Sequence, residues 1–402
     1  MWKGVSPSGF VRRVRASGRV VPGRGRRAKA PDGMKVLLLA AGLFLPALPA
    51  WSGPLVEEST FLPGKYHDLF GETTDRLDAL IARPDDGKPH PLVVISHGSP
   101  RHSGDRARMA PDRMRDQVLE FARRGFTAVT FMRRGYGKSE GSFSEGNEGK
   151  CDQRQYVGPG RNSAEDVRAA IDAMRGRPGV DASRIIAVGR SAGAFASVAL
   201  AADPPPGLVA VINFAGGRGS DKADSVCSPS AVVDAFAVFG KTARVPMLWV
   251  YAENDHYFGP ALARRFHGAF TAAGGRAEMI MAKPFGEDGH GLFSSNGIPI
   301  WTKYVDAFLK RTGLAQRETL LPLRDDAGVR YPEGLDRYGR DDFLRYLDAG
   351  PHKAFVASQD GHYGWRVGRD TAEEALEGAS ERCAQRASTP CRPVMVDDRP
   401  AP

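Results

Sequence analysis

The chain has 402 residues, 42% of them hydrophobic, and carries a formal net charge of +9. This length and apolar content indicate a globular protein of more than one domain. The positive charge lies at the start: residues 1–33 hold nine Lys or Arg and one Asp, and Lys35 supplies the last charge. The remainder is therefore neutral and gives no indication of nucleic-acid binding.

The first 52 residues are predicted to be targeting sequence. Residues 1–33 are expected to be a basic leader or a mis-called start that precedes a true start at Met34. Residues 34–52 combine a charged start, an apolar run and small residues up to Ser52, which is the anatomy of a secretory signal peptide. The apolar run is too short for a stable membrane span, so no transmembrane segment is expected once the signal is removed. An uncleaved amphipathic anchor is the alternative. We expect an exported protein, periplasmic or secreted.

Two apolar strands are predicted in the first half of the mature chain. Residues 91–96 form a continuous apolar run that enters the turn His97-Gly98-Ser99-Pro100, where we expect His97 to stabilise the turn by a hydrogen bond. Residues 127–131 form the next strand, and the loop at 133–139 follows it. That loop lacks the context of a phosphate-binding lysine, so phosphate binding is not expected there.

The pentapeptide Gly189-Arg190-Ser191-Ala192-Gly193 is the most informative motif. The apolar strand at 184–188 precedes it, and an alanine-rich helical run at 194–200 follows it. A strand that turns this sharply into a helix needs glycines on both sides, and it exposes the serine at the helix N-terminus. The flanks therefore favour a serine nucleophile over a chance match.

An acid and a histidine follow in the order that such a serine requires. Asp255 follows a strand at 245–251, and His290 follows a strand at 277–281. A serine hydroxyl is a weak nucleophile, so His290 would accept its proton while Asp255 orients the ring. Glu253 and Asp288 are the competing acids: Glu253 reads as a solvated strand end, and Asp288 is too close in sequence to reach the ring nitrogen. We expect His256 to lie beside the acid without taking part in proton transfer.

The backbone amides of Ser99 and Ala192 are the predicted oxyanion hole. The turn after the strand at 91–96 would direct the Ser99 amide toward the carbonyl oxygen of a substrate, beside the amide that follows the nucleophile. No metal site or cofactor is predicted.

These motifs resemble the α/β-hydrolase superfamily, near its prolyl-oligopeptidase, serine-aminopeptidase and dienelactone-hydrolase branches, from about Phe61 to Leu314. The loop at 133–139 is similar to the R-G-x-G-x-S loop after the fourth strand of many members. The resemblance implies a mostly parallel eight-stranded sheet with flanking helices and acyl-transfer chemistry at the strand ends. Dienelactone hydrolases carry a cysteine where this chain has Ser191, so their substrate does not carry over. Fold alone does not specify a substrate.

Four cysteines, Cys151, Cys227, Cys383 and Cys391, all follow the signal. An even number in an exported chain without C-x-x-C spacing favours disulfides over zinc. We favour Cys383–Cys391, which closes a short loop, and consequently Cys151–Cys227, which would join insertions at 140–162 and 216–243. Free thiols at Cys151 and Cys227 are the alternative to the second pair.

The mature chain exceeds one hydrolase domain. We expect the hydrolase domain at 53–318, a linker at 319–338 and a small α+β module at 339–402. The module is predicted to contain a helix at 340–347, a hairpin of 352–358 with 363–367, a helix at 371–385 and a strand at 392–396. His362 and Trp365 are assigned to packing.

Together these features predict an exported serine hydrolase that cleaves a carboxylic ester through an acyl-enzyme on Ser191. The expected substrate is a small-molecule ester or a short peptide, and the oligomeric state is left open. A serine peptidase of prolyl-oligopeptidase or aminopeptidase type is the alternative enzyme, although neither an S1 pocket nor an amine-recognising acid is identified. The alternative of another class is an envelope-binding protein on a hydrolase-like scaffold.

Overall fold

The computed structural model describes residues 54–68, 71–146, 150–323 and 326–401, which belong to one compact unit. The predicted leader and signal peptide, at 1–33 and 34–52, lie outside the described residues. Within the described ranges, no helix is both long enough and apolar enough to cross a bilayer.

The described residues contain fourteen strands and eight α-helices. The strands are β1 (Leu55–Asp68), β2 (Gly71–Pro84), β3 (His90–Ser96), β4 (Thr127–Phe131), β5 (Val180–Arg190), β6 (Leu208–Phe214), β7 (Ser220–Lys222), β8 (Ser225–Val226), β9 (Met247–Ala252), β10 (Ala277–Ala282), β11 (Ala354–Ala357), β12 (Tyr363–Arg366), β13 (Arg392–Val396) and β14 (Arg399–Pro400). The helices are α1 (Arg115–Arg123), α2 (Val157–Met174), α3 (Ala192–Ala202), α4 (Pro229–Gly240), α5 (Pro260–Ala272), α6 (Ile298–Arg311), α7 (Arg337–Asp348) and α8 (Ala372–Ala384).

The large sheet has eight strands in the order β1-β2-β4-β3-β5-β6-β9-β10. Strand β2 pairs antiparallel with β1 and β4, and every other pair in this sheet is parallel. The mostly parallel eight-stranded sheet expected from the resemblance is therefore confirmed. The carboxyl ends of its parallel strands share one edge, and the loops that follow β3, β5, β9 and β10 carry the candidate site.

The central strands are buried on both faces, because successive side chains alternate between two hydrophobic cores. In β3, Leu92 and Val94 pack into one core, whereas Val93 and Ile95 pack into the other. All four side chains are fully buried. The continuous apolar run in the sequence therefore reflects a strand with no solvent-facing side.

The first two strands of the sheet, β1 and β2, were not predicted. β1 and β2 are 14 residues each and pair along their whole length. The first half of β2 is mostly exposed and the second half is mostly buried, so β2 lacks the uniform apolar run that marks β3. The sheet also begins at Leu55, before the Phe61 boundary inferred from the resemblance.

The C-terminal residues form a second sheet, in the order β12-β11-β13-β14, with α8 packed against it. The predicted hairpin is confirmed, since β11 and β12 pair antiparallel, and the strand at 392–396 has the predicted bounds. The terminal strand β14 was not predicted.

Helix α7 joins this part to the large sheet through buried charges on α1. The Arg123 guanidinium binds the Asp341 carboxylate, and Arg345 lies 3.3 Å from a Glu120 oxygen. All four side chains are less than 10% exposed. The contact between the two parts is therefore strongly ionic.

Both favoured disulfides are present. Cys151–Cys227 joins the segment before α2 to the segment before α4, with a sequence separation of 76. Cys383–Cys391 joins α8 to the loop before β13, with a separation of 8.

Candidate active site

Ser191 lies in the sharp turn between β5 and α3. Its φ is 57° and its ψ is −124°, a strained combination for a residue with a side chain. The flanking glycines permit it: a Cβ at Gly189 would collide with the amide nitrogen of Ala194, and one at Gly193 with the carbonyl oxygen of Ser96. The pentapeptide therefore forms the strand–turn–helix junction that its flanks predict, with Ser191 only 6% exposed.

Asp255 and His290 lie together on the loops that follow β9 and β10. The His290 Nδ1 atom is 3.1 Å from Asp255 Oδ2 and 3.2 Å from Oδ1. Asp255 Oδ1 also accepts hydrogen bonds from the backbone amides of Tyr257 (2.7 Å) and Phe258 (2.9 Å). The carboxylate is thus fixed from two directions, and it directs the His290 tautomer with a proton on Nδ1.

The two competing acids occupy other positions. Asp288 Oδ1 accepts from the backbone amides of His290 (2.9 Å) and His256 (3.0 Å), so it caps the turn that carries the histidine. In the described residues, Glu253 makes no hydrogen bond to a histidine ring, and the His256 ring pairs with the exposed Asp224 carboxylate at 2.9 Å. Among these three acids, Asp255 alone is hydrogen-bonded to the His290 ring in the described residues.

Burial lowers the pKa of His290 below its ordinary value, and the positive charge of Arg190 lowers it further, against the opposing effect of Asp255. Burial raises the pKa of Asp255, but the hydrogen bond and charge of His290 and the two backbone amides outweigh it, and the net shift is downward. The histidine is therefore held neutral near neutral pH beside an ionised carboxylate, which is the state that a general base requires.

Aromatic side chains enclose the histidine. The Tyr257 ring stacks on the His290 ring with centroids 3.9 Å apart and an interplanar angle of 12°, and Phe258 meets His290 edge-on at 5.6 Å. The sequence reading missed Tyr257, although its position two residues after the acid was a usable signal. These contacts keep the imidazole in one orientation and largely shielded from water.

His97 holds the turn that precedes Ser99. Its Nδ1 atom lies 2.6 Å from the Gly98 carbonyl oxygen, and its Nε2 atom accepts from the Arg133 amide at 3.1 Å. Burial and the Arg133 charge lower the pKa of His97 to about 3, so the ring is neutral. The predicted turn-stabilising role of His97 is confirmed.

The predicted oxyanion donors, Ser99 and Ala192, line a hollow beside Ser191. Ala192 is the first residue of α3, where a backbone amide has no partner within the helix. Among the loop, turn and cap hydrogen bonds of the described residues, neither amide donates. Gly98 brings this turn close to Ser191, because a Cβ at Gly98 would lie 3.1 Å from the Ser191 Cβ.

A buried ionic cluster supports the same turn. Glu145 is fully buried and binds the guanidinium groups of both Arg133 and Arg218. Burial raises the pKa of Glu145, but the two arginines outweigh it and hold the pKa far below its ordinary value. The Tyr136 hydroxyl donates to Glu145 at 3.1 Å and contacts the Ser99 hydroxyl. The sequence reading missed Glu145 and Arg218, which no local motif marks.

Two hollows meet at Ser191. The first, called here the His290 hollow, has a volume of about 460 Å³ and is lined by Ser191, His290, Tyr257, Arg190, Met109 and Met114, among others. The second, called the arginine hollow, has a volume of about 380 Å³ and is lined by Ser191, Ala192 and four arginines, Arg101, Arg106, Arg154 and Arg218, among others. No hydrogen bond joins Ser191 to His290 in the described part of the chain. Such bonds often form only when substrate is bound.

One group of potential metal ligands lies close together in the described residues: Cys151, Asp221 and Cys227. Both cysteines belong to the disulfide, so neither has a thiolate to offer a metal ion.

Residues 72–265 match the X-Pro dipeptidyl-peptidase (S15) family. An uncharacterized protein of Mycobacterium tuberculosis is 30% identical over 157 residues, which are 39% of this chain and 47% of that relative. The match thus spans about half the length of this curated relative.

Solved structures with similar folds include hydrolases of several activities. A putative dienelactone hydrolase from Klebsiella pneumoniae has 19% identity and a TM-score of 0.44, covering 64% of this chain and 99% of that one. An acylaminoacyl peptidase from Pyrococcus horikoshii has 17% identity and a TM-score of 0.46, covering 70% of this chain and 43% of that one.

The strand order of the large sheet, the strained serine turn and the family match together define the class. The chain has an α/β-hydrolase fold, with Ser191 in the strand–turn–helix junction that carries the nucleophile in that fold.

Proposed function

We propose that the protein is an exported carboxylic ester hydrolase that acts through Ser191, His290 and Asp255. The observation that carries this proposal is the convergence of the strained Ser191 turn and the Asp255–His290 pair on one cavity. The three residues come from the ends of three different strands, and all are less than 10% exposed. Packing alone would not require a serine, an aspartate and a histidine at these three positions.

In the proposed reaction, Ser191 Oγ bonds to the ester carbonyl carbon while His290 Nε2 accepts the hydroxyl proton. The amides of Ser99 and Ala192 donate to the oxyanion that forms. When the tetrahedral intermediate collapses, His290 returns the proton to the leaving alkoxide and an acyl-enzyme remains on Ser191. Water, deprotonated by His290, then releases the acid and restores the serine. Asp255 orients the ring throughout and stabilises the imidazolium.

The charge around Ser191 favours an ester over a peptide with a free amino terminus. A peptidase that recognises a cationic α-amino group needs an unoccupied carboxylate beside the nucleophile. In the described residues, Glu145 is the acid that lines the arginine hollow, and both its oxygens bind arginine. That hollow repels an ammonium group.

A serine peptidase is the second candidate, because residues 72–265 match a peptidase family. Aminoacyl and prolyl anilides would separate the two activities. Anilide hydrolysis with a kcat/KM above that of p-nitrophenyl esters would favour the peptidase.

Export is part of the proposal and is supported by the two disulfides, which persist in oxidising compartments. Material recovered from the periplasm or culture medium is expected to begin near Gly53 and to contain no alkylatable thiol without reductant. A soluble fraction that retains Met1 or Met34 would contradict this.

Labelling with a fluorophosphonate tests the nucleophile. The probe should modify Ser191 in the wild type and leave Ser191→Ala unlabelled. The variant should keep the wild-type circular dichroism spectrum and lose about 10⁶-fold in kcat on p-nitrophenyl esters, as other serine hydrolases do when the nucleophile is removed. Retained esterase activity in the folded variant would refute the assignment.

A further inference from the structure

The arginine hollow contains positive charges that are held in place without being neutralised. Arg101 donates to the Ser220 hydroxyl (3.0 Å) and to the His256 carbonyl oxygen (3.1 Å), and its guanidinium lies 3.6 Å from the Tyr257 ring centroid. Arg106 lies 3.8 Å from the Phe143 ring centroid. These partners are neutral. In the described residues, neither arginine forms an ion pair with a carboxylate.

The buried ionic cluster adds to this charge. Arg133 and Arg218 share the single carboxylate of Glu145, so the cluster retains one positive charge. Arg218 is only 8% exposed, and its Nε atom has no hydrogen-bond partner. Because this atom is shielded from solvent, Arg218 would act on a ligand in the hollow through its charge.

The position of the hollow identifies the part of the substrate that would enter it. His290 must return a proton to the leaving group, so the leaving group occupies the His290 hollow. The predicted oxyanion donor Ser99 lines both hollows, whereas Ala192 lines only the arginine hollow and His290 lines only the other. The acyl part of the substrate therefore faces the arginines.

We infer that the acyl group of the substrate carries a carboxylate, so that the protein hydrolyses half-esters of dicarboxylic acids. The inference rests on the proposed ester hydrolysis at Ser191. Guanidinium groups bind carboxylates through short, charge-assisted hydrogen bonds, and in the described residues the Arg106 guanidinium has no hydrogen bond or ion pair, so its donors are free for one. The products would be a dicarboxylate and an alcohol.

Two matched esters test the inference: p-nitrophenyl hemiadipate, which ends in a carboxylate, and p-nitrophenyl hexanoate, which has the same acyl length without the charge. We expect kcat/KM for hemiadipate to exceed that for hexanoate by about 10-fold or more, the value of one charge-assisted hydrogen bond. Arg106→Met should reduce this ratio by about 10-fold. A wild-type ratio of one or less would overturn the inference, and Ser191-dependent hexanoate hydrolysis would then leave the proposed function standing.

Arg108→Met is the control for general electrostatics. Arg108 lies on the same short 3₁₀ helix as Arg106, but it is paired with Asp105 and lines the His290 hollow. This variant removes the same charge and should leave the hemiadipate-to-hexanoate ratio within about 2-fold of wild type. An equal fall in both variants would contradict a carboxylate site at Arg106.

Protection of Ser191 from fluorophosphonate labelling tests carboxylate binding without requiring turnover. Hexanoate should slow fluorophosphonate labelling of Ser191, whereas neutral hexanamide should slow it at least 10-fold less effectively, and Arg106→Met should remove the difference. Equal protection by the two compounds, or stronger protection by inorganic phosphate than by hexanoate, would overturn the inference. Failure of Ser191 to react with the fluorophosphonate would instead refute the proposed function.

Discussion

The Cys151–Cys227 disulfide is expected to stabilise the fold more than Cys383–Cys391 does and to shape the site as well. It closes a loop with a sequence separation of 76, against 8 for the other. Loop-closure entropy assigns about 4.5 kcal/mol to the first and about 2.6 kcal/mol to the second at 25 °C. Replacing the paired cysteines with serine should therefore cost about 2 kcal/mol more in the first case.

The hydrogen bonds around Cys151–Cys227 indicate how loss of this disulfide would affect the site. The Ser228 hydroxyl donates to the Cys151 carbonyl oxygen (2.7 Å) and accepts from the Arg154 amide (3.1 Å), while the Tyr156 hydroxyl donates to the Cys227 carbonyl oxygen (2.6 Å). The disulfide thus joins the two segments that carry Arg154 and Arg218 into the arginine hollow. Opening it should weaken binding there and leave the Asp255–His290 pair intact.

Thermal unfolding and steady-state kinetics on two double variants test this prediction. Cys151→Ser/Cys227→Ser should show the lower Tm and a raised KM for p-nitrophenyl hemiadipate with kcat within a few-fold of wild type. Cys383→Ser/Cys391→Ser is the control and should lower Tm less, with KM unchanged. The reasoning is refuted if the control variant is the less stable, or if both variants retain the wild-type KM.

Four further predictions follow from the site and from the contact between α1 and α7. The rate of ester hydrolysis should rise with pH as His290 loses its proton, and because burial and Arg190 lower the pKa of His290, the rise should lie below the range of a free imidazole. A rate that does not fall at any acid pH at which the protein stays folded would argue against a histidine base. Arg190→Met should move that rise to higher pH, and an unmoved profile would show that the Arg190 charge does not reach the ring. Asp255→Asn should lose about 10⁴-fold in kcat and His290→Ala about 10⁶-fold, whereas greater damage from Glu253→Gln would identify a different acid. Ending the chain after Thr319 removes the ionic contact of α7 with α1 and should lower Tm with KM unchanged. A truncated protein that is stable but has a greatly reduced kcat/KM would instead assign the C-terminal module to substrate binding.

Local sequence was sufficient for the elements whose chemistry is local. The strand at 127–131 was predicted with its observed bounds because each of its residues is β-branched, aromatic or small, and the structure buries all of them. The serine turn was predicted because only glycine on both sides permits the approach of β5 to α3. Ser191, Asp255 and His290 could likewise be placed after three successive predicted strands, because runs of apolar residues mark those strands in the sequence.

Tertiary structure decided which groups meet. Asp255 and His290 are 35 residues apart, and Glu145 and Arg218 are 73 apart, so their contacts depend on which strands are neighbours in the sheet. No periodicity in the sequence distinguishes Glu145 from the other acids of its loop, because burial between two arginines is a property of the assembled fold. Likewise, β1 and β2 are half-exposed strands whose pairing, rather than their apolar content, makes them part of the sheet. The sequence by itself determined the serine turn and the class of fold, whereas the positive charge beside Ser191 depended on side chains brought together by strand order.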